Sequence, residues 1–200
     1  MPHADNAAES AGETERRIVD QGVGKDDELQ RLWAPYRSAY LAESPRMNGS
    51  DVEDPGDPFL DAPQRSDEES LIVARGEHVY AILNLYPYNA GHLMVIPYRK
   101  VAELEDLTAE EDLEVMAFTK RAIRVLKEVS NPEAFNVGFN LGSASGGSVG
   151  DHLHLHVVPR WSGDANFVTV IGKTKVLPQL LRDTRALLAR AWAEIEAADA

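Results

Sequence analysis

Apolar positions along this chain are sparse and irregular at first and become periodic only after about residue 70. Residues 1 to 24 carry no apolar period and read as a disordered acidic tail. Residues 25 to 69 form an N-terminal extension: Leu29, Leu32, Trp33, Tyr36 and Tyr40 fall at helical spacing, yet Pro35 would kink or end that element. Within it, 42 to 58 is dense in Pro, Gly, Asp and Ser and reads as loop. The folded domain spans 70 to 195. "LIVA" and "HVYAILN" are β-branched and aromatic runs divided by "RGE", the signature of a hairpin. "HLMVIPY" (92 to 98) is a third apolar run, continuous enough to be buried on both faces.

"LTAEEDLEVMAFTKRAIRVLKEV" predicts a helix opened by a capping box of Thr108 and Glu111, with an apolar stripe of Leu113, Met116, Ala117, Ile123 and Leu126. "FNVGFNLG" and "HLHLHVVPRW" predict two further strands joined by the Gly/Ser-rich "SASGGSVGD". A last strand at "FVTVI" and a helix from about Leu177 to Ile195 complete the chain. The plan is α+β: a mainly antiparallel sheet, a central helix after the third strand and a C-terminal helix.

Composition narrows the function classes. With 200 residues, 44% of them hydrophobic, the chain can bury one substantial core. No apolar run approaches the ~18 residues needed to span a bilayer, and the N-terminus lacks the apolar centre of a secretory signal, so a soluble cytoplasmic protein without a membrane partner is expected. The absence of cysteine excludes disulfides, thiolate zinc sites and cysteine nucleophiles. A net charge of −13 argues against binding nucleic acid, which depends on neutralising phosphates. The charge is uneven: residues 1 to 70 hold 7 Lys/Arg against 17 Asp/Glu, whereas 135 to 182 hold 4 against 2. The one basic stretch would tolerate a small polyanion.

That stretch contains His152, His154 and His156 on alternate positions. In a strand they share one face, while Leu153, Leu155 and Val157 share the face that covers the core. A single histidine there would be a bland hydrogen-bonding residue; three in strict alternation are poor strand filler and point to chemistry. Alternate histidines can hold zinc, but the outer two lie ~13 Å apart along a strand and do not converge on one ion. Otherwise a neutral imidazole can attack phosphorus and split a transfer into two displacements, with neighbours setting its tautomer and donating protons. "GSASGGS" just upstream offers backbone N–H groups and hydroxyls for an anion-binding nest.

"HLHLHVV" matches the His-x-His-x-His-x-x signature of the histidine-triad (HIT) family of nucleotide hydrolases and transferases. "YAILNLYPYNAGHLMVIPYRKVAELEDLT" resembles that family's early strands and its Pro-x-x-x-Gly-His loop, and "FNVGFNLG" its strand before the triad. "RLWAPYR" upstream and "VVPRWSGDANF" downstream resemble the actinobacterial branch that phosphorolyses diadenosine tetraphosphate. The resemblance implies that His154 is the nucleophile and is adenylylated on attack at an α-phosphorus. It implies that His156 contacts phosphate oxygens and that His152 orients the nucleophile and assists the leaving group. It further implies a ribose contact at Asn84, an α-phosphate site at Asn140, Gly146, Gly147 and Ser148, and Trp161 near the polyphosphate or a dimer partner.

The expected reaction is phosphorolysis of diadenosine tetraphosphate to ADP and ATP. A water-using hydrolase of dinucleoside polyphosphates or nucleoside phosphoramidates is one alternative. A nucleotide-binding or interaction protein with little turnover is the other. The substrates are then a dinucleoside polyphosphate and inorganic phosphate; no cofactor is required, although Mg2+ can accompany the polyphosphate, and at least a homodimer is implied.

Two departures from the family pattern stand out. Many relatives carry Gln where this chain has Gly147, and one extra residue separates Ser148 from His152, which is compatible with phosphate rather than water resolving the intermediate. Related proteins often bind zinc through Cys-x-x-Cys before the sheet, where this chain has "DPFLDAP", so that metal is not expected. Among other residues, His92 after Gly91 reads as a structural hydrogen-bonding residue, His78 as solvated beside the turn, His3 as part of the tail, and Trp33 and Trp192 as packing residues.

Overall fold

The computed structural model describes residues 56–145, 149–164 and 177–199. In chain order the elements are α1 (Pro58–Asp61), α2 (Asp67–Ser70), β1 (Ile72–Arg75), β2 (Val79–Leu83), β3 (Leu93–Pro97), α3 (Ala109–Ser130), β4 (Ala134–Phe139), β5 (Leu155–Arg160) and α4 (Leu181–Asp199). The strands form one sheet in the order β1-β2-β3-β5-β4, every neighbouring pair antiparallel. The α+β expectation holds. The tail, the helix expected near 29–40 and the strand expected at "FVTVI" lie outside the described residues.

Two cores sandwich the sheet. On one face, α3 and α4 bring Phe118, Ala122, Leu126, Leu188 and Trp192 against Val79, Ala81, Leu93, Val95, Leu155 and Val157. On the other, Phe59 and Ala62 cover Ile72, Tyr80, Ile82, Met94 and Ile96. Every residue of β2 and β3 is therefore buried, as their unbroken apolar runs require. Trp192 is a packing residue, 2% exposed, with its ring centroid 5.1 Å from that of Phe118.

The capping box forms as expected: Thr108 Oγ1 accepts from Glu111 N–H and the Glu111 carboxylate accepts from Thr108 N–H. The stripe that packs, however, is Val115, Phe118, Thr119, Ala122, Val125 and Leu126, while Leu113 and Met116 are 75% and 49% exposed. Each residue turns the helix by about 100°, so Leu113 and Met116 do not share the face of Val115 and Phe118, and the stripe bearing the bulky Phe118 faces the sheet. The C-terminal helix begins at Leu181, four residues later than the apolar pattern suggested, after Pro178 and Leu180. The histidine strand is also shorter than expected: ladder pairing starts at Leu155, so His152 and His154 occupy its lead-in.

The β1–β2 hairpin is locked to α3 by Glu114, whose carboxylate accepts from the N–H groups of Glu77, His78 and Val79 at 2.9, 2.6 and 3.1 Å. His78 is half-buried as a result. Glycine at 76 leaves room for that carboxylate, because a Cβ there would collide with Glu114 and lie 2.8 Å from the Phe118 ring. Gly76→Ala is expected to lower the unfolding free energy by about 2 kcal/mol in denaturant titration; an unchanged midpoint would show that the lock contributes nothing.

Candidate functional site

The face covered by α1 carries the histidines. His156 pairs across the sheet with Met94 and Gly138, which sets its side chain beside Met94 in the second core. His154 and His156 line a cavity of about 430 Å3 whose walls include Phe59, Ala62, Ile82, Leu83 and Met94 and whose polar groups include Asp61, Arg65, Ser70, Asn84 and Asn140. The size and the apolar lining suit one nucleoside with its α-phosphate.

Each ring is oriented by a different partner. His154 Nδ1 lies 2.8 Å from the His152 main-chain oxygen. A carbonyl can only accept, so Nδ1 carries the proton and Nε2 keeps its lone pair. Phe59 packs on the ring with centroids 5.0 Å apart. Burial shifts the pKa of His154 below its ordinary value, so the ring is neutral at neutral pH.

His156 has the opposite polarity. Tyr88 N–H donates to His92 Nδ1 at 3.1 Å, which leaves the His92 proton on Nε2, and that nitrogen is 2.9 Å from His156 Nδ1. His156 Nδ1 therefore accepts and its Nε2 donates. The Asn140 amide nitrogen sits 3.1 Å from this Nε2; a half-turn of the amide, which exchanges nearly isosteric ends, presents its oxygen to the proton. Burial, followed by the charge of His154, pushes His156 down to about 4. Burial, followed by the charges of His156 and His154, pushes His92 down to about 3. Tyr88 stacks over both rings, at 4.7 Å from His92 and 5.8 Å from His156. Gly91, at φ +77, makes this placement of His92 feasible: a Cβ there would press to 2.9 Å on Leu126.

His152 points away from the cavity. Its ring is 1% exposed, with Nδ1 2.9 Å from Asp57 Oδ2 and Nε2 2.9 Å from the Pro97 carbonyl. Both ring nitrogens have partners, and the hydrogen bond it makes with His154 is through its main-chain oxygen. Burial alone would raise the pKa of Asp57, but hydrogen bonds from His152 and Phe59 N–H, with the charges of His152 and Lys100, hold the carboxyl below its ordinary value.

The other expected site residues divide. Asn84 lines the cavity, with Oδ1 accepting from Tyr86 N–H at 2.9 Å. Asn140 lines it too. Gly146, Gly147 and Ser148 lie outside the described residues. Trp161 lines a separate groove of about 230 Å3 with Asn89, Gly91, Leu126 and Thr184. Its N–H donates to Asp164, whose carboxylate also takes Arg160 at 2.7 Å. The basic excess read from the sequence is thus partly spent on that internal pair.

His92 is a hydrogen-bonding residue as expected, but its partner is a triad histidine. Asp57, Phe59 and Tyr88 were not legible as site residues; the Pro-x-x-x-Gly-His motif around Tyr88 was the one available signal. Among the described residues no group of three His, Cys, Asp or Glu side chains is placed to hold a metal ion. The zinc site of related proteins does not fit this chain, since the corresponding segment presents Asp57 to His152 and has no thiolate.

A lone-pair imidazole in a nucleoside-sized cavity, beside a second imidazole held as a donor, defines a site for histidine-mediated group transfer. The HIT domain family model matches residues 65–163. Over 177 residues the chain is 64% identical to a protein of Mycobacterium tuberculosis named AP-4-A phosphorylase, covering 88% of this chain and 91% of that one. It is 36% identical over 84 residues to the asymmetrical bis(5'-nucleosyl)-tetraphosphatase of Schizosaccharomyces pombe, covering 42% and 46% of the two chains. Among solved structures it is similar to a zinc-bound histidine triad family protein from Mycobacterium smegmatis, with 27% identity, a TM-score of 0.53, and coverage of 64% and 87%. The chain belongs to the HIT domain family.

The depressed values of His92 and His156 carry a stability consequence. In the unfolded chain each imidazole takes up a proton near 6.5, whereas the folded rings resist protonation down to about 3 and 4. The unfolded state therefore binds more protons below 6.5, and stability, full above that value, is lost as the pH falls through it towards the folded values. Between pH 6.5 and 5 the slope should approach about 1.4 kcal/mol per pH unit for each ring. Chemical denaturation across this range measures it; a flat profile would contradict the burial account.

Proposed function

We propose that this protein is a diadenosine tetraphosphate phosphorylase that works through a covalent AMP-histidine intermediate. The chemistry is carried by one observation, the hydrogen bond that leaves His154 Nε2 with its lone pair in the cavity. The substrate is supported by the 64% identity to a protein named AP-4-A phosphorylase.

In the first displacement His154 Nε2 attacks the α-phosphorus, forming a P–N bond as the bond to the bridging oxygen breaks and ATP departs. The ring keeps its Nδ1 proton, and the positive charge it gains is stabilised by the His152 carbonyl. His156 Nε2–H, with Asn140 beside it, donates to the oxygens of the phosphoryl group as charge builds there. In the second displacement a phosphate oxygen attacks the same phosphorus, the P–N bond breaks and ADP leaves, restoring neutral His154. These steps require no metal, and Mg2+ bound to the polyphosphate is compatible with them. Asn84 supplies its free amide N–H groups to the ribose, and the segment containing Gly146, Gly147 and Ser148 completes the phosphate site.

The remaining features belong to the same proposal. The protein works as a homodimer in the cytoplasm. Supporting the dimer, β4 is the last strand of the sheet and largely exposed, with Val137 at 45%, and Leu113 and Met116 of α3 are uncovered. Among the described residues no helix is long and apolar enough to cross a membrane.

Diadenosine tetraphosphate supplied with and without inorganic phosphate tests this reading. ADP plus ATP, formed only when phosphate is present, is the expected result, and His154→Ala should abolish turnover. AMP plus ATP without phosphate would replace phosphorolysis by hydrolysis, and tight nucleotide binding without turnover would replace catalysis altogether.

A further inference from the structure

We propose that Asp57 is a positioning residue for the nucleophile: by holding the His152 ring it fixes the main-chain carbonyl that keeps His154 in its reactive tautomer. The proposal rests on the reading of His154 as the nucleophile. Asp57 and His152 are 95 residues apart in sequence, yet Asp57 is 7% exposed and its Oδ2 accepts from His152 Nδ1 at 2.9 Å. Its other oxygen accepts from Phe59 N–H at 2.9 Å, and Lys100 Nζ stands 3.4 Å from Oδ2.

The segment before β5 is pinned at three points. His152 Nδ1 meets Asp57, His152 Nε2 meets the Pro97 carbonyl, and Leu153 N–H donates to the Val101 carbonyl at 2.6 Å. An oxygen stands within hydrogen-bond distance of each ring nitrogen, so the His152 ring is held at both of its polar positions. The carbonyl of this pinned residue is the one that takes the His154 Nδ1 proton. Phe59, carried on the turn that Asp57 caps, closes over both rings, at 5.6 Å from His152 and 5.0 Å from His154.

Without the acceptor at 57, His152 Nδ1–H is buried and unpaired, the ring shifts to find a partner, and the carbonyl moves with it. His154 can then place its proton on Nε2, and a ring in that form has no lone pair aimed at phosphorus. The loss falls on the rate of P–N bond formation rather than on nucleotide binding, because Asp57 does not line the cavity.

Two variants separate this role from helix capping. Asp57→Ser keeps a capping oxygen for Phe59 N–H but is too short to serve His152 as well. Asp57→Asn keeps an acceptor oxygen of the same reach. Single-turnover quench-flow with diadenosine tetraphosphate, without phosphate, reads both the rate of adenylyl-enzyme formation and the fraction of sites that react. The Asp57→Ser enzyme should react at a full complement of sites, with KM little changed and a rate at least about tenfold lower, and Asp57→Asn should recover most of it. A wild-type rate in Asp57→Ser, or a loss of reacting sites with no loss of rate, would overturn the proposal. An absence of adenylyl-enzyme in the wild type would instead sink the reading of His154. Long-range nitrogen–proton NMR of the wild-type protein gives an independent check: the His154 proton belongs on Nδ1, and finding it on Nε2 would refute the positioning role whatever the variants do.

Discussion

The hydrogen bond from His154 Nδ1–H to the His152 carbonyl is the constraint on which the site depends. An imidazole in water divides its proton between two nitrogens and is protonated altogether below its pKa, so an unconstrained histidine is a nucleophile for only part of the time. Here a main-chain oxygen two residues back fixes the proton on one nitrogen, and burial keeps a second proton off the other. The lead-in to β5, which lies outside the ladder, makes this possible, since His154 lines the cavity while the His152 carbonyl stays within reach of its ring.

The same backbone logic gives the neighbouring ring the opposite role. A peptide N–H at Tyr88 sets His92, and His92 sets His156, so two buried histidines of identical chemistry, two residues apart, emerge as an acceptor and a donor for phosphorus chemistry. Neither assignment needs a charged group in the cavity. Both need the loop at Gly91 to bring Tyr88 N–H onto His92 and need the sheet to bury the rings, which links the fold's stability at mild acid pH to the catalytic arrangement.

Much of this was legible in the sequence because it follows short-range rules. Unbroken β-branched, aromatic and apolar runs predicted β1, β2 and β3 to within about a residue, Thr108 and Glu111 announced the start of α3, and the spacing of His152, His154 and His156 singled out the site. What failed is non-local. Leu113 and Met116 satisfy helical periodicity as well as Val115 and Phe118 do, and only the sheet decides which stripe is covered. Asp57 looked like loop because its partner lies on another element, and His92 looked merely structural because nothing in the sequence says that its second nitrogen meets His156. For His152, too, spacing assigns a face, and the two buried acceptors that hold its ring are invisible in it.

The central claim is that the lone pair on His154 Nε2 forms a covalent bond to the α-phosphorus. Mass-spectrometric mapping of the protein after brief exposure to diadenosine tetraphosphate, quenched in alkali to preserve a P–N bond, tests it most directly. The account predicts AMP attached to the peptide at His154 and its release as ADP when inorganic phosphate is added. AMP on another residue, or turnover at full rate with no attached AMP at any time, would contradict it.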